Sequence, residues 1–149
     1  METIQKMFEH LNWANIRILK TLQNAEVENQ EIIRLFSHIL LAEKIWFTRL
    51  QGLDSSNVPI WTEVDLKVCS QLVEENQEVS TKFLSQLNNT DLDKIVFYKN
   101  SKGTEFKNTI REILTHIALH GQHHRGQINI KLRTDGIEPV GIDFITFVR

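Results

Sequence analysis

The sequence predicts an all-α protein, an antiparallel bundle of four helices with a short hairpin between the third and the fourth. Apolar side chains recur at spacings of three and four along four long stretches, as they do on one face of a helix. Only two prolines and six glycines occur in 149 residues, which favours long uninterrupted helices. The one strand-like stretch is brief and folds back around a turn signal. A chain of this length is expected to form one domain, residues 1–149.

The first helix, near residues 3–24, is marked by Ile4, Phe8, Leu11, Ile18 and Leu22, with Asn15 as the polar exception in the stripe. The second, near 28–51, aligns Ile32, Leu35, Ile39, Trp46 and Leu50 and stops at Gly52, a residue suited to the left-handed turn after a helix. A loop from Leu53 to Trp61 carries Pro59. Thr62 and Asp65 then have the spacing of a capping box, and Leu66, Cys69, Leu72, Val79, Phe83 and Leu87 continue a third helix near 64–88.

Between residues 94 and 107 the pattern changes. Ile95-Val96-Phe97-Tyr98 and Thr104-Glu105-Phe106 flank Asn100-Ser101-Lys102-Gly103, two short strands around a turn. Thr109 and Glu112 repeat the capping-box spacing and open a fourth helix, near 109–134, that ends before Gly136. After Pro139 the tail from Gly141 to Arg149 has room for one or two further helical turns.

Composition narrows the function. Seventeen basic and nineteen acidic side chains leave a net charge of −2, too little positive field to draw in nucleic acid. No apolar run approaches the roughly 20 residues of a membrane span, since Glu43 and Lys44 interrupt even Ile39 to Phe47. The amino end lacks the basic start and apolar stretch of a secretory signal, so the expected location is the cytoplasm. Cys69 is the only cysteine. It falls in an apolar helical pattern and is expected to pack in the core.

Four of the six histidines lie within nine residues: His116, His120, His123 and His124. On a helical wheel with His116 at about 0°, His120 falls at about 40°, His124 at about 80° and His123 at about −20°. The isoleucines and leucines of this helix point to about 115°. His124 is thus expected in the core and His120 at its edge, with His116 and His123 towards solvent. Histidines at i and i+4 can coordinate one ion, although a buried histidine more often satisfies its nitrogens with hydrogen bonds. A third ligand strengthens the metal reading, and His38 on the second helix stands at the edge of its apolar face. Packed antiparallel, the two edges can meet, which is where bundles build metal sites. Glu43 turns towards the core and must find a partner. A tryptophan, histidine or arginine that ties it down as structural glue is favoured over an outer role at the site. Gln127, at about 20°, is placed for an outer hydrogen bond.

The order Asn12-Trp13-Ala14-Asn15, Ser37-His38 with Ala42-Glu43 and Trp46, then His116-x3-His120-x2-His123-His124-Arg125-Gly126-Gln127 resembles the DinB family, within the DinB/YfiT-like superfamily of metal-dependent proteins. The ending Gly136-Ile137-Glu138-Pro139, followed by Asp143-Phe144-Ile145, is also similar to that family's. The resemblance implies an up-down-down-up bundle, often a homodimer, with His38, His120 and His124 as ligands to nickel or zinc. It further implies a small-molecule substrate and a metal-dependent enzyme that transfers a low-molecular-weight thiol to an electrophile. A metal-dependent hydrolase and a metal-binding stress protein without turnover are the alternatives. Neither H-E-x-x-H nor another hydrolase signature is present. Trp13, near the solvent edge of the first helix, is the candidate dimer contact.

Overall fold

Contacts between residues give the direction of each of the four long helices in the computed structural model, which describes residues 1–62 and 64–149. The helices are α1 (Glu2–Asn24), α2 (Gln30–Leu50), α3 (Leu66–Ser85), α4 (Ile110–Thr134) and a terminal turn, α5 (Phe144–Phe147). Lys131 of α4 bonds Glu31 of α2, whereas Trp46 further along α2 meets His116 earlier in α4, so these two run antiparallel. Ser37 meets Cys69, Asn76 reaches Glu43, and Phe47 packs on Phe83, so α2 and α3 run parallel. Asn12 bonds Ser80 and the amino terminus bonds Asn89, which makes α1 antiparallel to α3. The result is the up-down-down-up order.

Parallel α2 and α3 require a crossover, and the segment between Gln51 and Asp65 supplies it by travelling back along the bundle. Gly52 starts it at a φ of 73°, the left-handed conformation open to glycine. The crossover ends differently from expectation. Asp65 itself caps α3, its carboxylate accepting from the Val68 amide at 2.8 Å, so the helix begins at Leu66 without a Thr62 capping box. The buried side of α3 also departs from the expected stripe. Asn76 and Ser80 lie inside, while Val79, Phe83 and Leu87 are only partly covered. The helix is shared between two partners and turns its small polar side towards Glu43.

The hairpin forms as β1 (Ile95–Lys99) and β2 (Glu105–Thr109), with Tyr98 opposite Phe106. The Asn100 side chain accepts from the Lys102 and Thr104 amides, and Gly103 sits at a φ of 77°. β2 runs two residues further than the sequence suggests and passes directly into α4. Thr109 there is both the last strand residue and the N-cap, completing the capping box with Glu112. That box stabilises a helix start by about 1 kcal/mol.

Two apolar clusters fill the bundle. One gathers Ile18, Leu22, Phe36, Ile39, Leu40, Ile128 and Leu132, with Cys69 fully buried in it as expected. The other gathers Phe8, Leu11, Phe47, Leu114 and Ile117. Between them lies a polar layer of Asn15, Glu43, Asn76 and Arg125, all buried. Glu43 accepts from the Asn15 amide at 3.0 and 3.3 Å and from the Asn76 amide at 3.2 Å. Arg125 donates to the other end of Asn15 at 2.9 Å. The partners of Glu43 are thus two asparagines, with the arginine one residue removed, in place of a direct tryptophan, histidine or arginine bond. Burial raises the Glu43 carboxyl to about 7 against the opposing pull of Asn15, Arg125 and Asn76. Burial lowers the guanidinium to about 10, so it stays charged at neutral pH.

Candidate metal centre

His38 is the most buried of the three histidines proposed from the sequence, at 4% exposure. It sits midway along α2, where α4 covers one side and the returning crossover covers another. Its Nδ1 donates to the carbonyl oxygen of Ile60 at 2.9 Å, since a carbonyl can only accept. The lone pair is therefore on Nε2, which lies 3.1 Å from Nε2 of His120. His124 repeats the arrangement. Its Nδ1 donates to Oε1 of Gln127 at 2.7 Å, and its Nε2 also lies 3.1 Å from His120 Nε2.

Two lone pairs thus face the same nitrogen of His120. One imidazole nitrogen carries one proton at most, so the two lone pairs must share a single proton and only one of them can take it in a linear bond. Protonating His120 offers no way out, because burial and then the neighbouring histidines hold its pKa at about 4. Burial also lowers that of His38, against the pull of the Ile60 carbonyl. A cation among the three nitrogens satisfies all of them. Imidazole nitrogens about 2.1 Å from one ion stand roughly 3.0–3.4 Å apart, for angles from a right angle to tetrahedral. Both 3.1 Å separations lie in that range. The donor atoms of all three residues fall within 4.8 Å of one another. The donor set fits a divalent ion such as nickel or zinc, for which neutral imidazole is a common ligand.

The wheel ordered these residues differently from the structure. His124 is half-buried like His120, and the core direction one residue on is taken by Arg125, at 1% exposure. His116 and His123 are exposed, as the wheel gives. The His116 ring meets Trp46 in an edge-to-face contact and the His123 ring contacts His124. Gln127 bonds Nδ1 of His124, the nitrogen turned away from His120. Glu43 does not join the site, its oxygens being taken by Asn15 and Asn76.

Sequence reasoning missed Trp61. Its ring stacks on His38 with centroids 3.6 Å apart and planes 3° from parallel, and Arg34 lies over it at 4.8 Å. No helical period reaches a loop residue, and only the parallel α2–α3 connection brings it here. Arg125 and Gly121 were also missed, although both fall on the same side of α4 as Leu114 and Leu132.

Comparison with known proteins agrees with this architecture. Protein DinB of Bacillus subtilis (strain 168) is 26% identical over 154 residues, covering 93% of this chain and 90% of that protein. The crystal structure of a DinB-like protein from Bacillus cereus ATCC 10987 superposes with a TM-score of 0.65, covering 96% of this chain and 97% of the other. At 18% identity that likeness establishes the fold alone. The DinB family model matches residues 1–149, and the chain accordingly belongs to the DinB family.

Proposed function

We propose that this protein is a metal-dependent enzyme that activates a low-molecular-weight thiol for transfer to an electrophile, with His38, His120 and His124 holding one nickel or zinc ion. The observation that carries the reading is the convergence of three imidazole nitrogens whose outer partners leave lone pairs facing inward. Three protein donors leave a coordination position open, as catalytic sites do and closed structural sites do not. When bound, the ion supplies Lewis acidity that lowers the pKa of a thiol.

The chain's own residues do the rest. Ile60 and Gln127 fix which nitrogen of His38 and His124 faces the ion, an outer-shell arrangement typical of metal histidines. Trp61 shields one face of His38 from water, while half-exposed His120 and His124 leave the opposite side open to a small molecule. The transfer joins the thiol sulfur to the electrophilic atom as the S–H proton passes to solvent and the leaving group departs. Hydrolysis would need a general base beside the ligands. The nearest candidate from the sequence, Glu43, has its carboxylate committed to two asparagines, which favours the thiol reading over the hydrolase.

The test is to load the protein with nickel or zinc, incubate it with a panel of thiols and a reactive electrophile, and follow conjugate formation. Conjugation that disappears in His120→Ala supports the proposal. Absence of reaction with a broad panel favours a metal-binding protein without turnover. The metal found in protein purified without a histidine tag identifies the ion.

The same reading takes the enzyme as a cytoplasmic homodimer. Among the described residues no helix is long and apolar enough to cross a membrane. Leu119 and Ile130 stand 62% and 70% exposed on α4 and give a partner copy apolar surface. Trp13 is a weaker contact than the sequence suggests, because Phe147 and Arg17 of its own chain lie against it. Sedimentation at micromolar concentration that gives a monomer would count against the dimer.

A further inference from the structure

A cavity of about 940 Å³ opens between the end of α2, the start of the crossover and the hairpin. Arg49 lines it. The guanidinium lies over two rings, 4.6 Å from the centroid of Trp46 and 5.1 Å from that of Tyr98, and its Nε donates to Ser55 Oγ at 3.1 Å. Among the described residues no carboxylate lies within ion-pair distance of it, and its two terminal nitrogens have no protein acceptor. Burial has already stripped part of its water, lowering its pKa. A flat, partly desolvated guanidinium with both terminal nitrogens free is built to take a planar or tetrahedral oxyanion in two parallel bonds.

The surroundings agree in chemistry. Lys99 adds a second cation to the wall, held loosely at 3.6 Å from the exposed Glu105 carboxylate, and Ser55, Ser56 and Ser101 add hydroxyls. Among the described residues the one acid lining it, Asp54, is occupied by the Ser56 amide at 2.9 Å and the Ser56 hydroxyl at 2.7 Å. Leu53, Ile60 and Phe97 are exposed at 60%, 39% and 76% around the same cavity. The cavity thus sets a partly buried guanidinium among exposed apolar and hydroxyl side chains, a mixture common in sites for small organic ligands.

We propose that this cavity binds the carboxylate or phosphate group of a small organic anion, with Arg49 as the fork that grips it and Lys99 as a supporting charge. Ile60 belongs to both places, lining the cavity and orienting His38 with its carbonyl. Arg49 lies eleven residues along α2 from His38, about 16 Å of helix. On the metal reading above, a molecule of that length has its anionic end on Arg49 and its other end at the three histidines.

The anion site is tested without the metal. Protein stripped by a chelator and dialysed is titrated calorimetrically with inorganic phosphate, with succinate and with neutral succinamide. Saturable binding of at least one anion and none of succinamide is expected, and the tighter anion identifies the head group. Arg49→Gln should weaken that binding at least tenfold and Arg49→Lys by less, since charge is kept while the fork is lost. If Arg49→Gln fails to fold, Arg49→Lys and Lys99→Gln carry the test, each expected to weaken binding several-fold. Parent protein that binds neither anion overturns the proposal. So does folded Arg49→Gln binding as tightly as the parent, or Arg49→Lys and Lys99→Gln both doing so. Nickel binding by the same proteins separates the two readings, because Arg49→Gln should retain nickel while His38→Ala should retain the anion.

Discussion

Nδ1 of His38 and the carbonyl oxygen of Ile60 stand 2.9 Å apart, so the crossover between α2 and α3 decides which nitrogen of a helix residue faces the site. Gln127 does the same for His124 from within α4. These two bonds leave inward lone pairs on His38 and His124, and on the proposed reading removing either should weaken metal binding although neither partner is a ligand.

Gln127→Ala is expected to weaken metal affinity about 10- to 100-fold, the usual cost of losing an outer-shell partner. Removing His38, His120 or His124 should release the ion outright, whereas His116→Ala and His123→Ala should keep it. Competition titration against a chromophoric chelator measures the affinities, and circular dichroism should show little loss of helix in any variant. If His38→Ala binds metal as tightly as the parent, the cross-helix centre is wrong.

Trp61 should report on the ion directly, because its ring lies face to face with the His38 imidazole. Nickel is expected to quench tryptophan emission, and Trp61→Phe should remove more of that quench than Trp13→Phe. Trp61→Ala should also weaken metal binding by roughly tenfold, through loss of the stack that holds His38. An unchanged quench in Trp61→Phe would place the ion elsewhere.

Glu43 gives the pH dependence. Its carboxyl is raised from 4.5 to about 7 in the fold, chiefly by burial. The folded state therefore holds a proton that the unfolded chain has released. That contribution to stability is fully present below about 4.5 and is lost as pH rises through about 7. Compared with Glu43→Gln, the parent should lose stability between those limits by up to about 3 kcal/mol. Urea melts of both proteins at intervals across this range check the sign, and parallel curves would contradict it.

Much of this was legible in the sequence, residue by residue. The stripe Ile4, Phe8, Leu11, Asn15, Ile18 and Leu22 is buried throughout, because α1 packs on α3 and α4 along one continuous face. The approach of His38 to His120 and His124 followed from two helix edges that an antiparallel pair brings together. What escaped depended on chain paths that no period encodes. The crossover put Trp61 and Ile60 on His38, and the sharing of α3 between two partners turned Asn76 inward. The polar layer was half-visible, for Asn15 and Glu43 were each noticed as exceptions on apolar faces. Arg125 follows the same logic on α4, and a long cationic side chain pointing along Leu114 and Leu132 was the missing signal.

Gly121 is the least conspicuous part of that layer. A Cβ there would stand 2.9 Å from Nη1 of Arg125 and 3.3 Å from Nη2, closer than ordinary contact allows. The guanidinium cannot easily retreat, being 1% exposed and tied to Asn15 and Gln122, with its Nε already unpartnered among the described residues. Gly126 makes a control on the same helix, since a Cβ there meets nothing within 4 Å. Gly126→Ala should stabilise the helix by up to about 1 kcal/mol from backbone propensity. Gly121→Ala gains the same propensity but pays overpacking of about 1–3 kcal/mol and a disturbed buried charge, so a net loss is expected. Thermal melting should separate the two variants by several degrees, roughly 2–5 °C for each kcal/mol. Adding Arg125→Met to Gly121→Ala removes the clash with the charge, so the alanine should cost less in that background than in the parent. Equal melting temperatures for Gly121→Ala and Gly126→Ala would show that the guanidinium moves aside freely, and the polar layer would then be looser than its hydrogen bonds imply.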